Sequence, residues 1–371
     1  MYNVIIIRYS EIFLKSEYVK KEFENRLIDN IRLKLGGTDG KIKIIKGRHR
    51  IYIKTDDAET LAEKIRQIFG IKSLSPAIET ASDMENISDC VIKLAKKVIK
   101  KGNSFAVRVK RSKDYKLKSK DVEERLGSLI LDRMECYVDL NNPDKKIFVE
   151  IYGNKAYIFH KKINGFGGLP YKTQGKLIAL ISGGIDSPVA AWMMMRRGCE
   201  IIALHFGENG KDIKRIVKVL EDFSVHGIEI ILIPYEKILS KIYKNADKYT
   251  CIICKRIMYR VAERIAENKN ALGIITGENV GQVASQTLYN LKILDSAINI
   301  PVYRPLVGMD KEDIVKIAKN ISTYGIAEDK KCRFAPKKPA TKADMEKIER
   351  IEKNMGVGKL IDILMDNHRN G

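Results

Sequence analysis

Hydrophobic and polar positions along this chain follow two successive patterns, divided at Ile163–Pro170, a linker-like stretch with three glycines and a proline. On its N-terminal side the pattern predicts a strand over Val4–Ile7, an amphipathic helix over Val19–Leu35 and a hairpin, Ile42–Ile45 and Ile51–Ile53, around Gly47. A helical stretch Ala58–Phe69 and a turn-rich stretch Gly70–Pro76 follow. From Asp83 it predicts a helix over Asn86–Lys101, a strand over Ser104–Lys110, a helix over Ser119–Met134 and a hairpin turning at Gly153-Asn154. These are two small α+β units.

Beyond the linker, strands and helices alternate. The pattern predicts strand Leu177–Ile181, a helix opening at Pro188, strand Ile201–His205, helix Ile213–Phe223 and strand Ile228–Ile233. Helices Lys237–Asn245 and Lys255–Asn268, strand Leu272–Thr276 and helices Val280–Leu294 and Lys311–Asn320 complete it. Such alternation implies an α/β fold, a parallel sheet covered by helices on both faces, with ligands at the carboxyl ends of the strands.

Between the first of these strands and its helix lies Ser182-Gly183-Gly184-Ile185-Asp186-Ser187. The glycines permit a sharp turn and close approach to a ligand, and a helix N-terminus behind the turn favours an anion such as pyrophosphate. A Gly/Ser turn can equally serve geometry alone. The full string lacks the lysine of the G-x-x-x-x-G-K-[ST] loop and resembles the PP-loop, S-G-G-x-D-S, of the ATP pyrophosphatases. That resemblance implies ATP cleavage between the α and β phosphates to adenylate a carbonyl oxygen. Asp186 would be a catalytic carboxylate, with Mg2+ helping to neutralise the phosphates.

Charge adds a partner. The chain has 371 residues, enough for two or three domains, and a net charge of +21 with a pI near 9.5. A field of that size suits a polyanion, and nucleic acid is the favoured one, the alternative being a solvated Lys- and Glu-rich surface of a thermophilic kind. The strand Phe105–Arg111 and the residues after it, through Lys120, carry seven basic side chains against the single acid Asp114. Arg108, Lys110, Arg111, Lys116 and Lys118 are therefore candidates for phosphate contacts that position an RNA, against the reading of a charge-protected edge strand. The run F-A-V-R-V-K-R, with Ser119–Glu123, Leu126-Gly127 and Val138–Pro143, looks like a THUMP domain, an RNA-binding module of tRNA-modifying enzymes. The unit before it would then be ferredoxin-like.

Across nearly the whole chain, Gly167–Pro170, Leu180–Pro188, Thr276-Gly277-Glu278, Gly281–Thr287 and Arg304-Pro305-Leu306 resemble the tRNA 4-thiouridine synthase (ThiI) family. The resemblance implies a ferredoxin-like domain over 1–56, a THUMP domain over 57–165 and a PP-loop ATP pyrophosphatase domain over 172–371. It implies ATP-dependent adenylation of O4 of the uridine at position eight of tRNA, then replacement of that oxygen by sulfur. The ATP contacts it implies, beyond the turn itself (Ser182, Gly183, Gly184, Asp186, Ser187), fall on Leu180, Ile181, His205, Phe206, Lys255, Gly277 and Gln286. A homodimer and a side role in sulfur transfer for thiamine biosynthesis belong to the same resemblance. The chain ends too soon for the rhodanese domain that many members carry, which counts against the side role.

Six cysteines are too few for a disulfide scaffold in a chain this long. Cys251 and Cys254 stand at metal-ligand spacing, and Cys332 lies where the family places its catalytic cysteine. Three thiols without an obvious fourth ligand suit a 4Fe-4S cluster with one open iron, reverting to 3Fe-4S if that iron is lost. The open iron would take sulfide, or sulfur from a persulfide donor. Zinc and a disulfide relay stay open as alternatives; Cys90, Cys136 and Cys199 read as core fillers. Val4–Ile7 gives way at once to Arg8 and Glu11, with no signal-peptide apolar region and no run long enough to span a bilayer, so the expected location is cytoplasmic.

Overall fold

A computed structural model describes residues 1–9, 11–36, 42–47, 49–208, 210–326 and 332–369. The chain divides into two units, Met1–Gly168 and Leu169–Gly371.

The first unit contains strands β1 (Val4–Tyr9), β2 (Lys43–Gly47), β3 (Arg50–Lys54), β4 (Ile71–Ala81), β5 (Ser104–Arg111), β6 (Tyr137–Val138), β7 (Lys145–Tyr152), β8 (Lys155–Phe159) and β9 (Ile163–Asn164). Its helices are α1 (Glu17–Leu35), α2 (Ala58–Ile65), α3 (Met84–Val98) and α4 (Ser119–Leu131). The strands form one sheet in the order β2-β3-β1-β4-β8-β7-β5-β6, with β9 on β4. The main departure from the sequence pattern is β4, which runs through the stretch expected to be turn-rich. Ile71–Ala77 pairs with β1 and Ile78–Ala81 with β8, so one 11-residue strand belongs to both small α+β units. Pro76 is tolerated there. Its neighbour Ala77 turns its carbonyl to the Asn3 N–H on the β1 side, so the missing N–H of Pro76 faces the gap between the end of β9 and the start of β8. Side chains alternate across the sheet. Ile5, Ile7, Ile51, Ile53 and Leu74 are wholly buried, while Arg8 and Arg50 on the opposite set of positions grip Glu150 at 3.0 Å each.

The second unit is doubly wound α/β. Five strands, β10 (Lys176–Leu180), β11 (Glu200–Phe206), β12 (Ile230–Ile233), β13 (Ile274–Ile275) and β14 (Val302–Tyr303), lie parallel in the order β12-β11-β10-β13-β14. The helices are α5 (Asp186–Arg196), α6 (Lys211–Ser224), α7 (Glu236–Ala246), α8 (Thr250–Asn268), α9 (Leu288–Asp295), α10 (Lys311–Asn320), α11 (Met345–Met355) and α12 (Val357–Arg369). Ile178, Ile202, Leu204, Ile231 and Ile233 share one face and are buried with Ile253 and Ile257 of α8 and Leu360 of α12; α5 packs on β10 and β11. Most predicted elements hold to within a few residues. The helix expected over Val280–Leu294 does not form as one piece: Gly281 takes φ +84°, Ala284–Gln286 is a single 3-10 turn, and the Thr287 side chain then caps α9. Helix α8 starts at Thr250, five residues earlier than expected, and so takes both Cys251 and Cys254 into its first turns.

Candidate active site and nucleic-acid surface

Chain order fixes where a ligand would sit. From β10 the winding goes to β11 and β12 on one side and to β13 and β14 on the other, so the crevice between the carboxyl ends of β10 and β13 is the topological switch point. The Ser182–Ser187 turn follows β10, and Thr276-Gly277-Glu278 follows β13. The turn is held by its own hydroxyls. The Ser182 N–H donates to Ser187 Oγ at 2.8 Å, the two hydroxyl oxygens lie 3.0 Å apart, and the Gly184 N–H reaches Ser182 Oγ at 3.3 Å. Gly277 abuts the start of α5 so closely that a Cβ there would fall 2.7 Å from the Ser187 nitrogen. Only glycine fits.

These loops open onto a cavity of about 1090 Å³, room enough for a nucleotide and a further group. At its floor the Asp186 carboxylate accepts a 2.7 Å hydrogen bond from Lys311 Nζ. In its wall Glu278, 4% exposed, accepts from Lys255, Tyr259, Thr276 and Arg304. Burial alone would raise the Glu278 pKa, but Lys255 and Arg304 beside it hold it down at about 2.

Models of three families match the chain: the thiamine biosynthesis protein ThiI over residues 172–357, the ThiI ferredoxin-like domain over 4–75 and the THUMP domain over 81–161. A "Probable tRNA sulfurtransferase" of Methanocaldococcus jannaschii is 42% identical over 95% of this chain and 97% of its own length. One from Thermococcus kodakarensis is 40% identical over 95% and 96%. A crystal structure of a 4-thiouridine synthetase–RNA complex with bound ATP superposes with a TM-score of 0.88 at 36% identity, covering 98% of this chain and 97% of that one. The chain belongs to the tRNA sulfurtransferase (ThiI) family.

Of the ATP contacts that membership of the ThiI family suggested, Leu180, Ser182, Gly183, Gly184, Asp186, Ser187, Lys255, Gly277 and Gln286 line the one cavity. Ile181, His205 and Phe206 are not in its lining. Ile181 is buried and its carbonyl accepts from His205 Nδ1 at 2.8 Å, and burial lowers the His205 pKa against that bond. Phe206 points to the opposite side of β11 and meets Tyr235 edge-on, the ring centroids 5.2 Å apart. Here His205 and Phe206 brace the end of the strand. Gln286 is on the 3-10 turn, not on a helix, with its Oε1 accepting from the Asn279 N–H at 3.4 Å.

The three cysteines gather at the same place. Cys251 and Cys332 line the cavity, and Cys254 stands one turn along α8 from Cys251. Burial raises the Cys251 thiol, Lys255 opposing and Cys332 adding; burial pushes Cys254 up to about 12, and its thiol contacts Met258 Sδ at 3.8 Å. The donor set fits an iron–sulfur cluster in kind, three soft sulfurs within electrostatic reach of one another. Among the described residues, however, no three His, Cys, Asp or Glu side chains are arranged to hold a metal ion.

On the THUMP region the basic run divides in two. Arg108 donates to the Val107 and Leu140 carbonyls, and one Arg111 nitrogen holds the Ser112, Lys113 and Tyr115 carbonyls. Both arginines brace loops. Lys110, Lys116 and Lys118 are exposed and open to a ligand. β5 is not a bare edge either: β6 covers its start, and the Val109 N–H is taken by Glu123 Oε1 at 2.7 Å.

No role for Lys311 or Glu278 follows from the sequence alone. Lys311 comes 125 residues after Asp186, with no local motif to mark it. Its one signal was position: it opens the helix after β14, on the edge of the sheet where ligands bind.

Proposed function

We propose that this chain catalyses ATP-dependent sulfur transfer to tRNA, adenylating O4 of the uridine at position eight and replacing that oxygen by sulfur to give 4-thiouridine. The observation that carries the reading is the cavity itself, in which an S-G-G-x-D-S turn at a helix N-terminus, two lysines and two thiols converge. Amides of the turn and the α5 N-terminus would receive the phosphates, with Lys311 and Lys255 adding positive charge and Asp186 sharing a Mg2+. Attack of O4 on the α-phosphorus would release pyrophosphate. A sulfur nucleophile at C4 would then expel AMP, so that the C–O bond breaks as the C–S bond forms.

Cys251, Cys254 and Cys332 would hold a 4Fe-4S cluster, whose chemistry when bound is an open iron for sulfide or for sulfur from a persulfide donor. Iron and acid-labile sulfide analysis after anaerobic purification tests this; a colourless, iron-free protein that still thiolates tRNA with sulfide rules it out. We also infer a homodimer, from the family, and a cytoplasmic site of action. No described helix is long and apolar enough to cross a membrane.

Nucleoside mass spectrometry of tRNA incubated anaerobically with the protein, ATP, Mg2+ and sulfide tests the main reading. The expected product is 4-thiouridine, formed only with ATP; its absence, or thiolation of another base, overturns the proposal. For the RNA surface, replacing Lys110, Lys116 and Lys118 together by alanine should weaken tRNA binding roughly 10- to 100-fold at low salt and flatten the log–log salt slope by about 2 to 3. Filter binding across a salt series checks this, and an unchanged slope places the phosphate contacts elsewhere.

A further inference from the structure

Glu278 is buried in the wall of a cavity that must accept a polyanion, where a carboxylate should repel its ligand. Its hydrogen bonds resolve the conflict. Oε2 takes three donors, Tyr259 O–H at 2.6 Å, Arg304 Nε at 2.8 Å and Thr276 O–H at 3.2 Å, which leaves it no freedom to turn. Arg304 is outside the cavity lining, its two terminal nitrogens on Asp295 at 3.1 and 2.5 Å and one of them also on the Tyr259 hydroxyl at 3.2 Å. Oε1 is thereby fixed, and it accepts from Lys255 Nζ at 2.8 Å. An ammonium has three protons, and Glu278 uses one. Lys255 lines the cavity on the same face of α8 as Cys251, four residues before it.

We propose that Glu278 is a positioning residue, an anchored carboxylate that holds the Lys255 ammonium in the cavity wall so that its remaining protons meet the phosphates of bound ATP. The inference rests on the reading of the cavity as an ATP site. Unanchored, Lys255 is a long flexible side chain that must lose rotamer freedom each time ATP binds; anchored, it has lost that freedom on folding.

The sign of one measurement separates this role from a simple field effect. If Glu278 acts only through its charge, Glu278→Gln removes a negative group from an anion site and ATP binds more tightly. If it positions Lys255, ATP binds more weakly, by about tenfold, the scale of one charge-assisted hydrogen bond. Calorimetric titration of the full chain with ATP and Mg2+ gives the Kd for wild type, Glu278→Gln, Lys255→Ala and the double variant. Expected are weaker binding in both single variants and a double variant within about twofold of Lys255→Ala alone. Tighter binding in Glu278→Gln, or losses that multiply in the double variant, overturns the proposal.

Should Glu278→Gln fail to fold, Tyr259→Phe decides, since it keeps the carboxylate but removes its shortest anchor. A Kd raised several-fold in Tyr259→Phe supports positioning, and an unchanged one overturns it. Wild type that binds ATP yet makes no 4-thiouridine removes the proposed reaction and leaves this inference standing; wild type that binds no ATP removes both.

Discussion

Asp186→Asn is expected to lower ATP-dependent thiolation by about a thousandfold or more while leaving tRNA affinity within about twofold. Asp186 opens α5 with its side chain 23% exposed to the cavity, and Lys311 Nζ lies 2.7 Å from its carboxylate. Two consequences of the change act together. On the proposed reaction, Asn would not help bind Mg2+ as a carboxylate does, and charge on the departing pyrophosphate would go unscreened. Asn also weakens the charge-assisted hydrogen bond from Lys311, since an amide oxygen carries no full charge. The fold has little to lose, because Asn can still accept from Lys311 and the turn keeps its Ser182–Ser187 bonds. Pyrophosphate release in the presence of tRNA should fall in parallel with 4-thiouridine. Retention of either rate within tenfold of wild type would remove Asp186 from the chemistry, and a matching loss of tRNA affinity would show that the variant is misfolded.

How far such a site can be read from sequence depends on how local its signals are. The Ser182–Ser187 turn is six consecutive residues after an apolar run, and its serines and glycines interact with one another, so both its conformation and its place in the fold were legible. The strand–helix alternation after Leu169 was equally plain, since each strand is a short buried run and each helix keeps its own period. What failed was non-local. Ile71–Ala81 becomes a strand because β1 and β8 pair with it from distant parts of the chain, against the local signal of Gly70 and Pro76. Glu278 has no local signal of its role, because its partners Lys255 of α8 and Arg304 come from distant parts of the chain. For Arg108 and Arg111, composition gave the sign of the charge but not that carbonyls of neighbouring loops take part of their donor set. The C-terminal helices α11 and α12 were missed although both are amphipathic. Arg256, 2% exposed, pairs with Glu352 of α11 and so ties that helix to the one that carries the cysteines.

Cys332→Ser is expected to reduce 4-thiouridine to below about 1% of wild type while pyrophosphate release continues, separating sulfur delivery from activation of the base. The structural basis is a division of labour within one cavity. The turn, Lys255 and Lys311 bring amides and ammonium groups to its lining, while Cys251, one turn of α8 from Lys255, and Cys332 bring thiols. Cys332 is exposed, and the segment that follows it is fastened at two points: Phe334 packs edge-on against Tyr243 at 5.8 Å, and the Ala340 carbonyl accepts from the buried Asn290 side chain at 2.9 Å. Such a segment holds the Cys332 sulfur at the cavity. Cys251→Ser should behave as Cys332→Ser does, since both sulfurs face the same space. Cys199→Ser, buried away from the cavity lining, should keep thiolation within about twofold. Parallel measurement of pyrophosphate and of 4-thiouridine by mass spectrometry decides the matter. If Cys332→Ser also stopped pyrophosphate release, the cysteine would be acting on ATP or on tRNA placement, and the thiols and the ammonium groups could not be assigned to separate steps.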